Sequence, residues 1–155
     1  MKTSINRFAL LLCGSLLLCT ATAQAQEKRV QMKDLPASVQ VAVKEQSKGA
    51  KVRGLAQEVE NSQTFYEAEL LVNGHNKDVL FDATGKVVTV EEQVTFSALP
   101  AAVQAGLKKL AGKGRMTMIE SITKDGALVA YEAHVRTGAK RSEVKVGPDG
   151  SPVKE

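Results

Sequence analysis

Residues 64–74 read TFYEAELLVNG. Thr64, Tyr66, Ala68, Leu70 and Val72 alternate with Phe65, Glu67, Glu69 and Leu71, the period-two pattern of a strand whose successive side chains face opposite ways. Asn73-Gly74 closes the run with a dipeptide that tolerates the positive φ angles of a two-residue hairpin. The tripeptide Tyr66-Glu67-Ala68 returns 65 residues later as Tyr131-Glu132-Ala133, inside a second alternating stretch, Leu128 to Arg136. Leu35-Pro36 and Leu99-Pro100, 64 residues apart, precede the two strands at a similar distance. One unit therefore occurs twice, and a recurrence of this length points to two copies of one supersecondary plan.

Each Leu-Pro pair opens an amphipathic helix. Leu35, Val39, Ala42 and Val43 share one helical face, as do Leu99, Val103, Gly106, Leu107, Leu110 and Ala111. Proline suits a helix start, where no intrahelical N–H bond is lost. Lys48-Gly49 ends the first helix, Gly112 and Gly114 the second, and Ser97 is a candidate cap for the second. Strands follow in order: Lys51–Val59, Thr64–Val72, Asp78–Asp82 and Lys86–Val90 in the first unit. Met116–Thr123, Leu128–Arg136 and Ser142–Val146 follow in the second. Gln26–Asp34 reads as a loose lead-in and Val94–Phe96 as a short joint. The expected fold class is α+β, two tandem repeats, each one helix packed on a small antiparallel meander.

The N-terminus carries a targeting pattern. Lys2 and Arg7 precede an apolar run from Phe8 to Cys19, too short to span a bilayer comfortably. Ala23-Gln24-Ala25 offers a small-x-small cleavage site, with Ala21-Thr22-Ala23 as a second. The expected division is residues 1–25 as signal peptide, 26–93 as the first repeat and 94–155 as the second, with a periplasmic or secreted destination. Leu12 and Leu18 precede Cys13 and Cys19, which disfavours lipidation. Both cysteines leave with the signal, so the exported chain holds no thiol and no disulfide. Lys2 and Arg7 account for two of the 21 basic residues, so 19 remain against 17 acidic ones. That near balance, without a basic block interleaved with aromatics, argues against nucleic acid. No second long apolar run exists, so the exported chain is not expected to span a membrane.

The Leu-Pro pair, the valine four residues after its leucine, Tyr66-Glu67-Ala68 and the strand ending Phe81-Asp82-Ala83-Thr84-Gly85-Lys86-Val87 resemble the PepSY-like family, also called β-lactamase-inhibitor-like. The resemblance covers residues 33–92 and 97–154. In the second copy the turn reads Gly147-Pro148-Asp149-Gly150, with Gly147 where the pattern has aspartate, which leaves its final strand in doubt. The resemblance implies helix-on-sheet units in exported bacterial proteins. It implies binding or restraint of another exported protein, and it brings no catalytic residue.

The residues themselves offer little to catalysis. Nucleophilic hydrolysis needs a base beside a serine, threonine or cysteine. The two histidines, His75 in a turn and His134 on a strand facing away from Tyr131, read as solvated side chains. No G-x-S-x-G elbow is present. His75 with Asp78, Glu91-Glu92 and the Glu58–Glu60 pair do not form a recognisable ligand set, so no metal or cofactor is expected. Glu67 and Glu69 point the same way and could exchange protons if desolvated, but the polar face of a half-exposed strand accounts for them. Lys108, Lys109, Lys113 and Arg115 suit the end of a helix, where the last carbonyls carry partial negative charge.

The expected function is a non-catalytic exported protein-binding module, an inhibitor or modulator of another exported enzyme. The alternative is an envelope protein binding a small ligand or a metal ion. The candidate partner-binding residues are Phe65, Glu67, Glu69 and Leu71 of the first unit with Glu132, His134 and Arg136 of the second, mixing apolar groups with charge. Two arrangements stay open. The face is uncovered, or the two sheets pack together or run into one long sheet and bury Phe65 and Leu71. If the face is uncovered, Phe65→Ala with Glu69→Lys abolishes capture of the partner and leaves the melting temperature nearly unchanged. A large fall in melting temperature places those residues in the core.

Overall fold

The computed structural model describes residues 28–60 and 62–153, so the expected signal segment with its cleavage sites and both cysteines lies outside the described residues. The strands are β1 (Lys28–Arg29), β2 (Lys51–Glu60), β3 (Gln63–Val72), β4 (His75–Asp82) and β5 (Val87–Gln93), followed by β6 (Arg115–Lys124), β7 (Ala127–Thr137) and β8 (Lys140–Val146). Helix α1 (Ala37–Gln46) precedes β2 and helix α2 (Ala101–Ala111) precedes β6. All eight strands form one antiparallel sheet in chain order.

That single sheet corrects the expected fold class of two tandem units, each with its own small sheet. β5 pairs directly with β6, Thr89 opposite Lys124 through Gln93 opposite Glu120. The physical reason is edge satisfaction: β5 and β6 would otherwise each present a row of unpaired N–H and C=O groups. β5 is also longer than its alternation suggested, because Glu91, Glu92 and Gln93 continue the ladder. Further contacts close the seam. Lys86 Nζ lies 2.6 Å from Asp125 Oδ1, the Asp125 amide donates to the Val88 carbonyl, and the Val94 amide donates to the Ile119 carbonyl.

Both helices cover the same face. Register carries one row across the sheet from Leu70 through Lys77, Glu92, Ser121 and Tyr131 to Val146. Leu35, Val39 and Val43 bury against Leu55, Ala68, Leu70, Val79 and Phe81. Leu99, Val103 and Leu107 bury against Ile119, Ala133, Val135 and Val146. Each helix thus closes its own apolar cluster, with fully buried Phe81 and Val146 at matching places.

The helix starts are near duplicates. Pro36 and Pro100 take extended backbone just before α1 and α2, and Gln40 and Gln104 donate from Nε2 to the Leu35 and Leu99 carbonyls, each at 2.9 Å. Ser97 does not cap α2. It sits in a short 3-10 turn, Phe96–Ala98, and Pro100 occupies the cap position without a side-chain bond. The lead-in is not loose throughout, since β1 pairs with β2 and Met32–Asp34 forms another 3-10 turn. The doubtful last strand of the second half is a single bridge between Val146 and Pro152.

Two turns pin the helices to the sheet. Gly85 and Gly150 both have positive φ. A Cβ on Gly85 would lie 2.7 Å from the Ser38 carbonyl oxygen, and one on Gly150 would collide with the Ala102 carbonyl. Each turn therefore presses on the first turn of its helix through bare backbone. Gly74 shares the positive φ but has nothing within 4 Å of where its Cβ would be. Gly85→Ala and Gly150→Ala should each cost about 2–4 kcal/mol in urea unfolding, combining strain with overpacking. Gly74→Ala should cost about 1–2 kcal/mol from strain alone, and equal costs at all three positions would refute the pinning.

Candidate functional site

The face opposite the helices is concave. Glu60 at the end of β2 lines a hollow of about 530 Å³ together with Glu91 of β5, Ile122 of β6, Ala130 of β7 and Lys145 of β8. A flat sheet would hold β2 and β7 five strand spacings apart, so the sheet curls to bring them together. Curling also buries residues that no helix covers, among them Ala56, Ile122 and Ala130.

Carboxylates cross this face in register. Glu69, Asp78 and Glu91 lie directly opposite one another on β3, β4 and β5. Glu120 and Glu132 are direct partners on β6 and β7, and Lys145 of β8 follows in the same row. Cations answer part of this charge. Arg29 Nη2 is 2.6 Å from Glu69 Oε1, and Lys145 Nζ is 2.9 Å from Glu132 Oε2. Gly54, beside a register shift in β2, leaves the space in which the Arg29–Glu69 pair lies.

Burial and like charge act on the centre of the band. Burial, with Glu120 and Glu69 nearby, pushes Asp78 up to about 6, against the opposing pull of Arg53 and Arg29. Its Oδ1 is buried without a hydrogen-bond partner. Glu91 is also raised, first by burial and then by Glu120 and Glu132, while Lys145 lowers it.

The structure places all seven sequence-derived candidates on this face. Phe65, Glu67, Glu69 and Leu71 are half-buried along β3. Phe65 and Leu71 belong to neither helix-covered cluster, so merging of the halves into one sheet does not make them core. Glu132 is buried, His134 is half-buried and Arg136 is exposed on β7. Glu132 and His134 converge, whereas Arg136 turns away and donates to the Gly138 carbonyl.

His134 is not simply solvated. Its Nε2 lies 3.0 Å from Glu120 Oε2 and 3.8 Å from Glu132 Oε1, and its Nδ1 lies 3.5 Å from Glu143 Oε1. Sequence reasoning missed Glu120, Asp78 and Glu91 as members of this face. The Asp125-Gly126 hairpin brings β6 against β7, but the register shift after Ile122 is what sets Glu120 opposite Glu132 rather than Tyr131. His75, exposed at the start of β4, stands apart from the cluster.

The family profile described as "Putative beta-lactamase-inhibitor-like, PepSY-like" matches residues 21–89 and again 64–151. The chain belongs to this PepSY-like family. Among solved structures, a protein from Bacteroides eggerthii described as periplasmic is 20% identical, with TM-score 0.63 over 77% of this chain and 86% of that one. A DUF2874 family protein from Bacteroides uniformis is 22% identical, with TM-score 0.61 over 77% and 86%. A BLIP-like protein from Bacteroides fragilis is 18% identical, with TM-score 0.55 over 76% and 82%. At these identities the likeness is one of fold. No curated protein matches the chain. Among the described residues no helix is long and apolar enough to cross a membrane.

The raised acid at Asp78 gives a signed prediction. The folded state holds its proton more tightly than the unfolded chain, so stability falls as pH rises from 3.8 to about 6. Asp78→Asn should flatten that part of the stability–pH curve. It should also stabilise the protein by about 1 kcal/mol at pH 7.5, a value discounted for partial exposure. Urea unfolding at pH 4 and pH 7.5 checks both, and an unchanged pH slope would contradict the assignment.

Proposed function

We propose that the chain is a non-catalytic, exported binding module whose concave sheet face receives a basic segment of another exported protein. The observation that carries this reading is the row of like charges Glu69, Asp78 and Glu91, set in direct cross-strand register on the face the helices leave uncovered. Like charges directly opposite destabilise a sheet. A lysine- or arginine-bearing partner would relieve that repulsion and gain complementarity at once. Phe65, Leu71 and Leu80 supply apolar contact beside the charge, the usual composition of an interface.

Family membership and the periplasmic description of a structural relative support an envelope setting. Restraint of an exported enzyme is the finer form of the proposal. Among the described residues, the face offers carboxylates and one histidine close to three of them, and no serine, threonine or cysteine side chain is hydrogen-bonded to that histidine's ring. Binding accounts for that arrangement better than nucleophilic chemistry does.

The test uses a photo-crosslinking residue at Leu80 on the concave face and, separately, at exposed Val41 on α1. Leu80 should give one adduct of defined mass in the periplasm, Val41 none, and Asp78→Lys with Glu91→Lys should remove the adduct. Equal adducts from both positions, or an adduct insensitive to the charge reversal, would overturn the proposal.

A further inference from the structure

We propose that Glu120, Glu132 and His134 form a binding site for one divalent transition-metal ion of the zinc class. This goes beyond the partner reading and does not depend on it. Each residue offers one ligand atom, and the three atoms lie within 4.8 Å of one another. His134 Nε2 stands 3.0 Å from Glu120 Oε2 and 3.8 Å from Glu132 Oε1. Two donors held by one tetrahedral ion at zinc–nitrogen and zinc–oxygen bond lengths lie about 3.3 Å apart, between those two distances. Small side-chain adjustments would therefore admit the ion without moving β6 or β7.

The surroundings match those of a ligating histidine. Such a histidine turns its second ring nitrogen to a carboxylate or carbonyl. Here Nδ1 faces Glu143 Oε1 at 3.5 Å. Lys145 holds Glu132 by Oε2, leaving Oε1 on the His134 side. Glu120 and Glu132 are only 4% and 8% exposed and directly opposite in register, and Lys145 pairs with Glu132, so a cation between the two carboxylates would be received by nearly enclosed oxygen ligands. The His134 side chain is 35% exposed and provides the way in. An imidazole with two carboxylates suits zinc, manganese or ferrous iron, whereas calcium takes oxygen ligands alone.

The first half of the chain serves as an internal control. At the offsets of the recurrence, Glu120, Glu132 and His134 correspond to Ala56, Glu67 and Glu69, and Ala56 pairs with Glu67 as Glu120 pairs with Glu132. Ala56 is fully buried. The same strands close there without the trio, so the fold does not require it.

Zinc chloride is titrated calorimetrically into the tag-free chain at pH 7.5, with calcium chloride as comparison. One equivalent of zinc should bind and raise the melting temperature, and excess calcium should not displace it. His134→Gln should weaken binding by about tenfold or more, and His75→Gln, the other histidine, should leave it unchanged. Circular dichroism establishes that each variant is folded. Should His134→Gln fail to fold, zinc-induced NMR shifts of the two histidine rings in the wild-type chain decide, with His134 expected to move and His75 to stay. Absence of stoichiometric binding, displacement by calcium, unchanged binding in His134→Gln, or a response at His75 would overturn the site. None of these outcomes bears on the crosslinking result, which reports the partner alone.

Discussion

Five residues of β5, Thr89 to Gln93, hydrogen-bonded in register to Lys124 through Glu120 of β6, decide what kind of object this protein is. Without that ladder each half would be a helix on a short sheet with a bare edge. With it, eight strands form a sheet long enough to curl, and curling produces a concave face. The ladder also brings together charges that belong to different halves. Glu91 of the first half feels Glu120 and Glu132 of the second, and Asp78 feels Glu120. The row Glu69, Asp78, Glu91 belongs to the first half and the pair Glu120, Glu132 to the second, and the joined sheet sets the two against each other.

Much of this was legible and the seam was not. The helical spacing of Leu35, Val39 and Val43, the strand alternation around Tyr66 and Tyr131, and the Asn73-Gly74 and Asp125-Gly126 turns all report local physics that periodicity can detect. Of the residues that alternate with Tyr66 and Tyr131 on one side, Ala68, Leu70, Ala133 and Val135 are buried, whereas Val129, beside the register shift in β6–β7, is 39% exposed. The β5–β6 pairing leaves no such trace, because Thr89, Glu91 and Gln93 are polar and the ladder is made by backbone groups common to every residue. The candidate site divides in the same way. That Glu132 and His134 share a face follows from their spacing. Their meeting with Glu120 depends on how β6 registers against β7, which shifts after Met116 and again after Ile122.

The face opposite the helices is built against its own stability. Aligned carboxylates repel, an aspartate oxygen is buried without a partner, and two glutamates are nearly enclosed beside one another. The apolar clusters under α1 and α2 supply the cohesion that lets the sheet carry this cost. Selection for folding alone would have placed threonine or valine at such positions, as strand preferences dictate.

The merged sheet also limits how the chain can be dissected. Cutting between β5 and α2 would leave two fragments, each ending in a naked strand with a full row of open donors and acceptors. Such edges pair with whatever edge is nearest, and the nearest match would be the complementary fragment or the same segment of a second molecule. Domain-swapped dimers and fragment complementation are thus the expected behaviour of truncated forms. A single half studied by itself would misreport both the oligomeric state and the shape of the intact protein.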